Sequence, residues 1–175
     1  MAKVIFVVTH GDKFSGANPR MTPEGFKQVT DLRRLLPRNP SVVLCGTGTR
    51  HFDVVSALDL WTLSGNMRVT SVIGGPDSLE VVNGEKLVVL ANGKLCSPAV
   101  YTTLEDSAAA AVALVASLPD NSVVCAGRPL MIMLSEKNAK SAAVYKITVT
   151  DVHDEITSFD IEEVVATGVA EKGTV

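Results

Sequence analysis

The apolar run Val4-Ile5-Phe6-Val7-Val8 gives out into Thr9-His10-Gly11. An imidazole at the end of a short buried strand is a nucleophile, a ligand, or a polar residue that merely follows apolar ones. Arg50 stands after Gly46-Thr47-Gly48-Thr49, at the start of a helical pattern. A cation there opposes the helix dipole, so contact with an anion is the better reason for it. A third loop, Ala126-Gly127-Arg128, follows another apolar run and carries a further guanidinium, although an arginine before Pro129 is by itself an ordinary solvated residue. Lys13 and Arg20 follow His10 on a loop punctuated by glycine, asparagine and proline, and His51 sits beside Arg50. Taken singly, His51 and His153 read as structural or exposed.

Other chemistries fit less well. Gly46-Thr47-Gly48 resembles the start of a dinucleotide fingerprint, but His51 occupies the third glycine's place and no acid partner follows in the expected context. Cys45 and Arg50 bracket a strand–loop–helix junction, as in cysteine-dependent phosphatases. Those need five intervening residues and this chain has four, so the backbone would wrap phosphate differently. The three histidines are far apart, and Cys45, Cys96 and Cys125 lack metal-ligand spacing. No metal and no cofactor is expected. The odd, unspaced cysteines read as reduced thiols of a cytoplasmic protein.

The elements that position these residues alternate. Val4–Val8, Ser41–Cys45 and Ser122–Ala126 read as short strands buried on both faces. Thr22-Pro23-Glu24 opens a helix with an N-cap, a proline at its first position and an acid in its first turn, and Phe26, Val29, Leu32 and Leu36 form its apolar stripe. A second helix carries Val54, Leu58 and Trp61 on one side. A third runs from Leu104 to Leu118 behind a capping box of Thr103 and Asp106, and Leu130–Leu134 reads as a short apolar helix. Val69–Ile73 is a further candidate strand, residues 86–96 a hairpin around Asn92-Gly93, and 141–150 with 156–165 a final antiparallel pair. This order predicts an α/β fold of three layers, a mostly parallel central sheet with helices on both faces. Ligands of such sheets bind beyond the carboxyl ends of the strands, where the three loops should converge.

One domain over residues 1–165 is expected, with 63–101 a candidate insertion and 166–175 a flexible tail. The chain has 175 residues, 46% of them hydrophobic, which is ample for a core. A net charge of −3 argues against nucleic acid as the partner. No stretch approaches the ~20 apolar residues of a membrane span. Oligomeric state is not legible, although the 86–101 hairpin could serve an interface.

His10-Gly11 at a strand end, followed by Met21-Thr22-Pro23-Glu24-Gly25-Phe26-Lys27-Gln28, resembles the opening of the histidine phosphatase superfamily, the phosphoglycerate-mutase-like proteins. That family begins strand–Arg-His-Gly and then Leu-Thr-x-x-Gly-x-x-Gln on its first helix. Cys45–Ala57 resembles the next block, a strand then Ser-x-x-x-Arg, and Ser122–Leu134 resembles the late strand–Ser-His-Gly block. The resemblance implies a phosphoglycerate-mutase-like fold. In the family the first histidine attacks phosphorus and carries the phosphoryl group. Two arginines and a second histidine bind its oxygens, and an acid from the middle segment protonates the leaving group. His10 holds the nucleophile position, Arg50 that of the second arginine, and Gly11 the tight turn beside the phosphate. Asp77, Glu80 and Glu85 are conceivable acids, and Asp12 could orient the imidazole.

Thr9 stands where the family has arginine, Ala126 where it has the second histidine, and Gly46 where it has serine. Losing one preorganised donor can cost ~10²–10³ in turnover. Arg128 or Lys13 could restore an anion site of altered geometry. The resemblance therefore leaves two functions open. One is a phosphomonoesterase with a phosphohistidine intermediate on His10. The other is an inactive relative that binds a phosphorylated small molecule or other anion, or a protein partner.

Overall fold

The computed structural model describes residues 2–16, 18–61, 66–70, 78–89, 95–96, 104–127, 130–131, 134, 139–152 and 156–165, with backbone alone at 78–82, 85–89, 95–96, 104–110, 151–152 and 156–157. Its strands are β1 (Ala2–Thr9), β2 (Val43–Cys45), β3 (Met67–Val69), β4 (Ser78–Val82), β5 (Glu85–Val89), β6 (Leu95–Cys96), β7 (Ser122–Ala126), β8 (Val144–Val152) and β9 (Ile156–Val164). The helices are α1 (Pro23–Thr30), α2 (Thr49–Ala57) and α3 (Leu104–Ser117).

A six-stranded sheet runs β3-β2-β7-β1-β8-β9. Its first four strands are parallel, and β8 and β9 extend it antiparallel. This is the mostly parallel α/β sheet expected from the alternating pattern. Its two faces are filled from opposite sides. Ile5, Val7, Val124 and Ala126 pack with Ala111, Val115 and Leu118 of the α3 side. Val8, Val43, Val123 and Cys125 pack with Val29 of α1 and Val54, Val55 and Leu58 of α2 and its C-cap. Near-continuous β-branched strands are what such two-faced burial demands.

The strands β4, β5 and β6 form a separate sheet in that order. The turn between β4 and β5 is Asn83-Gly84, both at positive φ (51° and 82°), the geometry that an Asn-Gly hairpin supplies. The pairing of β5 with β6 agrees with the 86–96 hairpin, whose turn lies outside the described residues. The edge strand β3 covers 67–69 and so begins earlier than the Val69–Ile73 reading; 71–77 are outside the described residues. Thr103, Ile132, Met133 and 166–175 also lie outside them.

Two helices differ from expectation. The first α-helix stops at Thr30, and a 3-10 turn at 33–35 carries the rest of its stripe, while Arg33 donates to the carbonyls of Pro37 and Arg38. Trp61 is not part of the α2 core stripe. The helix ends at Ala57, Asp59 takes a positive φ of 53°, and Trp61 is exposed, stacked on Phe52.

The Thr22–Gly25–Gln28 spacing has a mechanical meaning. Thr22 caps α1 by accepting from the Gly25 amide at 3.0 Å, and its own amide donates to the Asp12 carbonyl at 2.8 Å. Gln28 accepts from the Asp12 amide and donates to the Asp12 carboxylate, both at 3.0 Å. Gly25 lets the two backbones touch, since a Cβ there would lie 2.1 Å from the Asp12 carbonyl oxygen. Gly11 meets the same contact from the other side, its Cβ position being 2.5 Å from the Gly25 carbonyl. Both obstacles are backbone, so neither can swing aside. Gly25→Ala is expected to cost about 2–3 kcal/mol and to lower Tm by roughly 4–12 °C. A thermal melt within a degree of the wild type would mean that α1 can slide away from the loop without loss.

Candidate functional site

The carboxyl ends of β1, β7 and β2 lie side by side, with Thr9 opposite Ala126 and Cys45 opposite Cys125. His10 follows β1 and is 4% exposed. Its Nδ1 lies 2.9 Å from the Gly11 carbonyl oxygen. A carbonyl only accepts, so in the neutral ring the proton is on Nδ1 and the lone pair on Nε2. Asp12 is exposed, and its carboxylate accepts from Gln28.

Arg50 is 1% exposed at the second position of α2, and it is the largest of the fully buried side chains. A Cβ on Gly48 would lie 3.2 Å from Arg50 Nη1, so the guanidinium folds back over the helix's N-cap. A buried cation at the positive end of a helix is a costly arrangement that an anion relieves.

His51, read from the sequence as structural or exposed, is buried. It is 0% exposed, and its ring centre lies 6.4 Å from that of His10. Burial chiefly, then the charge of Arg50 and the proximity of His10, hold its imidazole well below the usual histidine range. That joint influence places Arg50, His51 and His10 in one neighbourhood. A histidine beside a buried arginine is a weak sequence signal; the two glycines before it, Gly46 and Gly48, are the feature that could have marked it.

The loop between β1 and α1 is fastened over α2. Asn18 Oδ1 accepts from the Thr49 amide at 2.8 Å, and Asp53, only 6% exposed, accepts from the Met21 amide at 3.0 Å and from Arg20 Nη2 at 3.2 Å. Asp53 was not among the sequence candidates. Arg20 is thereby turned to Asp53, while Lys13 is half-buried and bridges to Met21 through its backbone. The Gly11 amide donates to Met21 Sδ at 3.2 Å. Arg128, Asp77 and His153 lie outside the described residues, as do the side chains of Glu80 and Glu85.

Thr9 and Ala126, two of the three departures from the family pattern, are direct cross-strand partners. The Thr9 hydroxyl donates to the Lys140 carbonyl at 2.7 Å and accepts from the Ala143 amide at 3.0 Å. It fastens the 140–143 loop. Ala126 is fully buried in the core on the α3 side.

Cys45 is 0% exposed, donates to the Gly46 carbonyl at 3.1 Å, and burial pushes its thiol up to about 12. Burial raises Cys125 as well. A thiol of that acidity is protonated at neutral pH and does not attack. Treatment with iodoacetamide at pH 7 is therefore expected to leave ligand binding and any turnover unchanged. Inactivation that tracks alkylation of Cys45 would reopen the cysteine-phosphatase reading. Among the described residues no cluster of three His, Cys, Asp or Glu could hold a metal, and no helix is long and apolar enough to cross a membrane.

No protein-family model matches this sequence, and no curated protein matches it. Solved structures do. The structure of "Mycobacterial hydrolase 2" aligns with a TM-score of 0.64 at 16% identity, over 99% of this chain and 97% of its own. Mycobacterial glucosyl-3-phosphoglycerate phosphatase aligns with a TM-score of 0.63 at 14% identity, over 92% and 97%. A candidate phosphohistidine phosphatase, SixA, from Nakamurella multipartitia gives 0.58 at 15% identity, over 95% and 98%. The chain has the histidine phosphatase fold. The histidine phosphatase fold here places His10, directly after β1, beside the N-terminal turn of α2.

Proposed function

We propose that this chain is a phosphomonoesterase that acts on a phosphorylated small molecule through His10. The observation that carries the reading is the buried His10 ring, with Nδ1 tied to the Gly11 carbonyl and its Nε2 carrying the lone pair. Nε2 attacks phosphorus and forms an N–P bond as the ester P–O bond breaks. The electron pair leaves with the ester oxygen, which takes up a proton. Water then attacks the phosphohistidine, releasing phosphate and restoring the ring. Arg50 neutralises charge on the phosphoryl oxygens, and the α2 N-terminus adds its dipole. Lys13 and Arg128 are further cations of the same loops, and residues 1–165 make up the catalytic domain. Names among the structural neighbours, a glucosyl-3-phosphoglycerate phosphatase and a candidate phosphohistidine phosphatase, support the reaction class rather than a substrate. A cytoplasmic setting suits the reduced thiols.

Thr9 and Ala126 favour a second reading, a receptor for a phosphorylated ligand or a protein-interaction module. The Thr9 hydroxyl is engaged by the 140–143 loop, and alanine offers no donor. Brief mixing with an aryl phosphate, quenching in base and mass spectrometry separate the two. The enzyme reading expects phosphate on His10 and release of the aryl alcohol. Binding of phosphate with neither product would leave the receptor reading, and phosphate on another residue would overturn both.

A further inference from the structure

The His51 ring is held by its Nδ1 edge. The Gly48 amide donates to Nδ1 at 3.2 Å, while the His51 amide donates back to the Gly48 carbonyl at 2.9 Å. Because Nδ1 accepts, the ring proton is on Nε2. That N–H is buried and has no hydrogen-bond partner among the described residues. Buried polar groups are nearly always satisfied, so such a donor calls for an acceptor that comes and goes.

We propose that His51 is a phosphoryl-binding residue, its Nε2–H donating to an oxygen of the group that His10 attacks. The imidazole donor expected after β7 is thus supplied from the first turn of α2. This rests on the phosphoryl reading of the site. The two ring centres lie 6.4 Å apart with their planes tilted by 39°, so both imidazoles address the same small region. Burial and the neighbouring Arg50 keep His51 neutral, so it donates a hydrogen bond without adding a second buried charge.

Two of the family departures, Gly46 and Ala126, are then linked. A Cβ at position 46 would lie 2.4 Å from His51 Nδ1 and 3.0 Å from its Cε1, so the ring occupies the space that the family's serine side chain would take. Gly48 is confined in the same way, with its Cβ position 3.1 Å from His51 Nδ1. Gly46 admits the imidazole, His51 provides it, and Ala126 no longer needs to.

Capping of α2 is the purely structural role for His51, and the test must separate the two. The probes are orthovanadate and inorganic phosphate, whose binding needs no turnover. In the intact protein with ¹⁵N-labelled histidine, vanadate is expected to shift the His51 Nε2 resonance while Nδ1 keeps its acceptor shift. His51→Leu is expected to weaken vanadate binding by roughly 10²-fold. His51→Gln, which keeps a cap acceptor and an N–H donor, should recover part of that loss. Should His51→Leu not fold, the resonance shift in the wild type decides alone. Vanadate that binds without moving Nε2, or that binds folded His51→Leu within twofold of the wild type, overturns the proposal and leaves the phosphoryl site standing. A wild type that binds neither anion overturns the phosphoryl reading and this proposal with it.

Discussion

His10→Ala is expected to cut hydrolysis of an aryl phosphate by roughly 10³-fold or more, with the protein still folded. The imidazole is the bond-forming group in the proposed reaction, and neighbouring donors can bind phosphate but cannot accept it covalently. Because the ring is 4% exposed, its removal leaves a sheltered hollow at the end of β1. Added imidazole should enter that hollow and restore part of the rate, an effect that a collapsed or misfolded variant would not show. Phosphate binding should persist, since Arg50 and the start of α2 remain. Equal rates for variant and wild type would remove His10 from the chemistry.

Arg50→Met should have the second large effect, and its two readouts should part company. Affinity for phosphate or vanadate is expected to fall about 10²-fold or more. Thermal stability, by contrast, is expected to hold or rise, because burying a guanidinium costs desolvation that a thioether of similar reach does not incur. Arg50→Lys should recover little, since an ammonium lacks the planar fork that grips two oxygens at once. Calorimetric titration with phosphate alongside a thermal melt checks both. A large fall in Tm with affinity unchanged would make Arg50 a structural residue.

Local chemistry was legible wherever a residue acts on its near neighbours in the chain. Thr22 and Pro23 announced the start of α1, and the β-branched runs announced β1, β2 and β7. The Asn83-Gly84 turn was equally open to reading by the same rule that picked out Asn92-Gly93. Trp61 was misplaced because apolar periodicity does not register where a helix stops; the positive φ of Asp59 turns the chain and leaves the indole against Phe52. The burial of His51 beside His10 was illegible for a different reason. A lone histidine carries no local signal, and its burial depends on glycines that yield space to a ring three and five residues on.

From the order of residues alone came the α/β architecture and the strand end that carries His10. Each follows from short-range preferences or from one residue type at one spacing. The tertiary structure alone decided that Thr9 and Ala126 are partners across two strands and that the Thr9 hydroxyl serves the 140–143 loop. It also decided that His51, forty-one positions after His10, has its ring centre 6.4 Å from that of His10. Those facts depend on which strands the sheet sets side by side and on where backbone can approach backbone, and both are settled only when distant segments pack together.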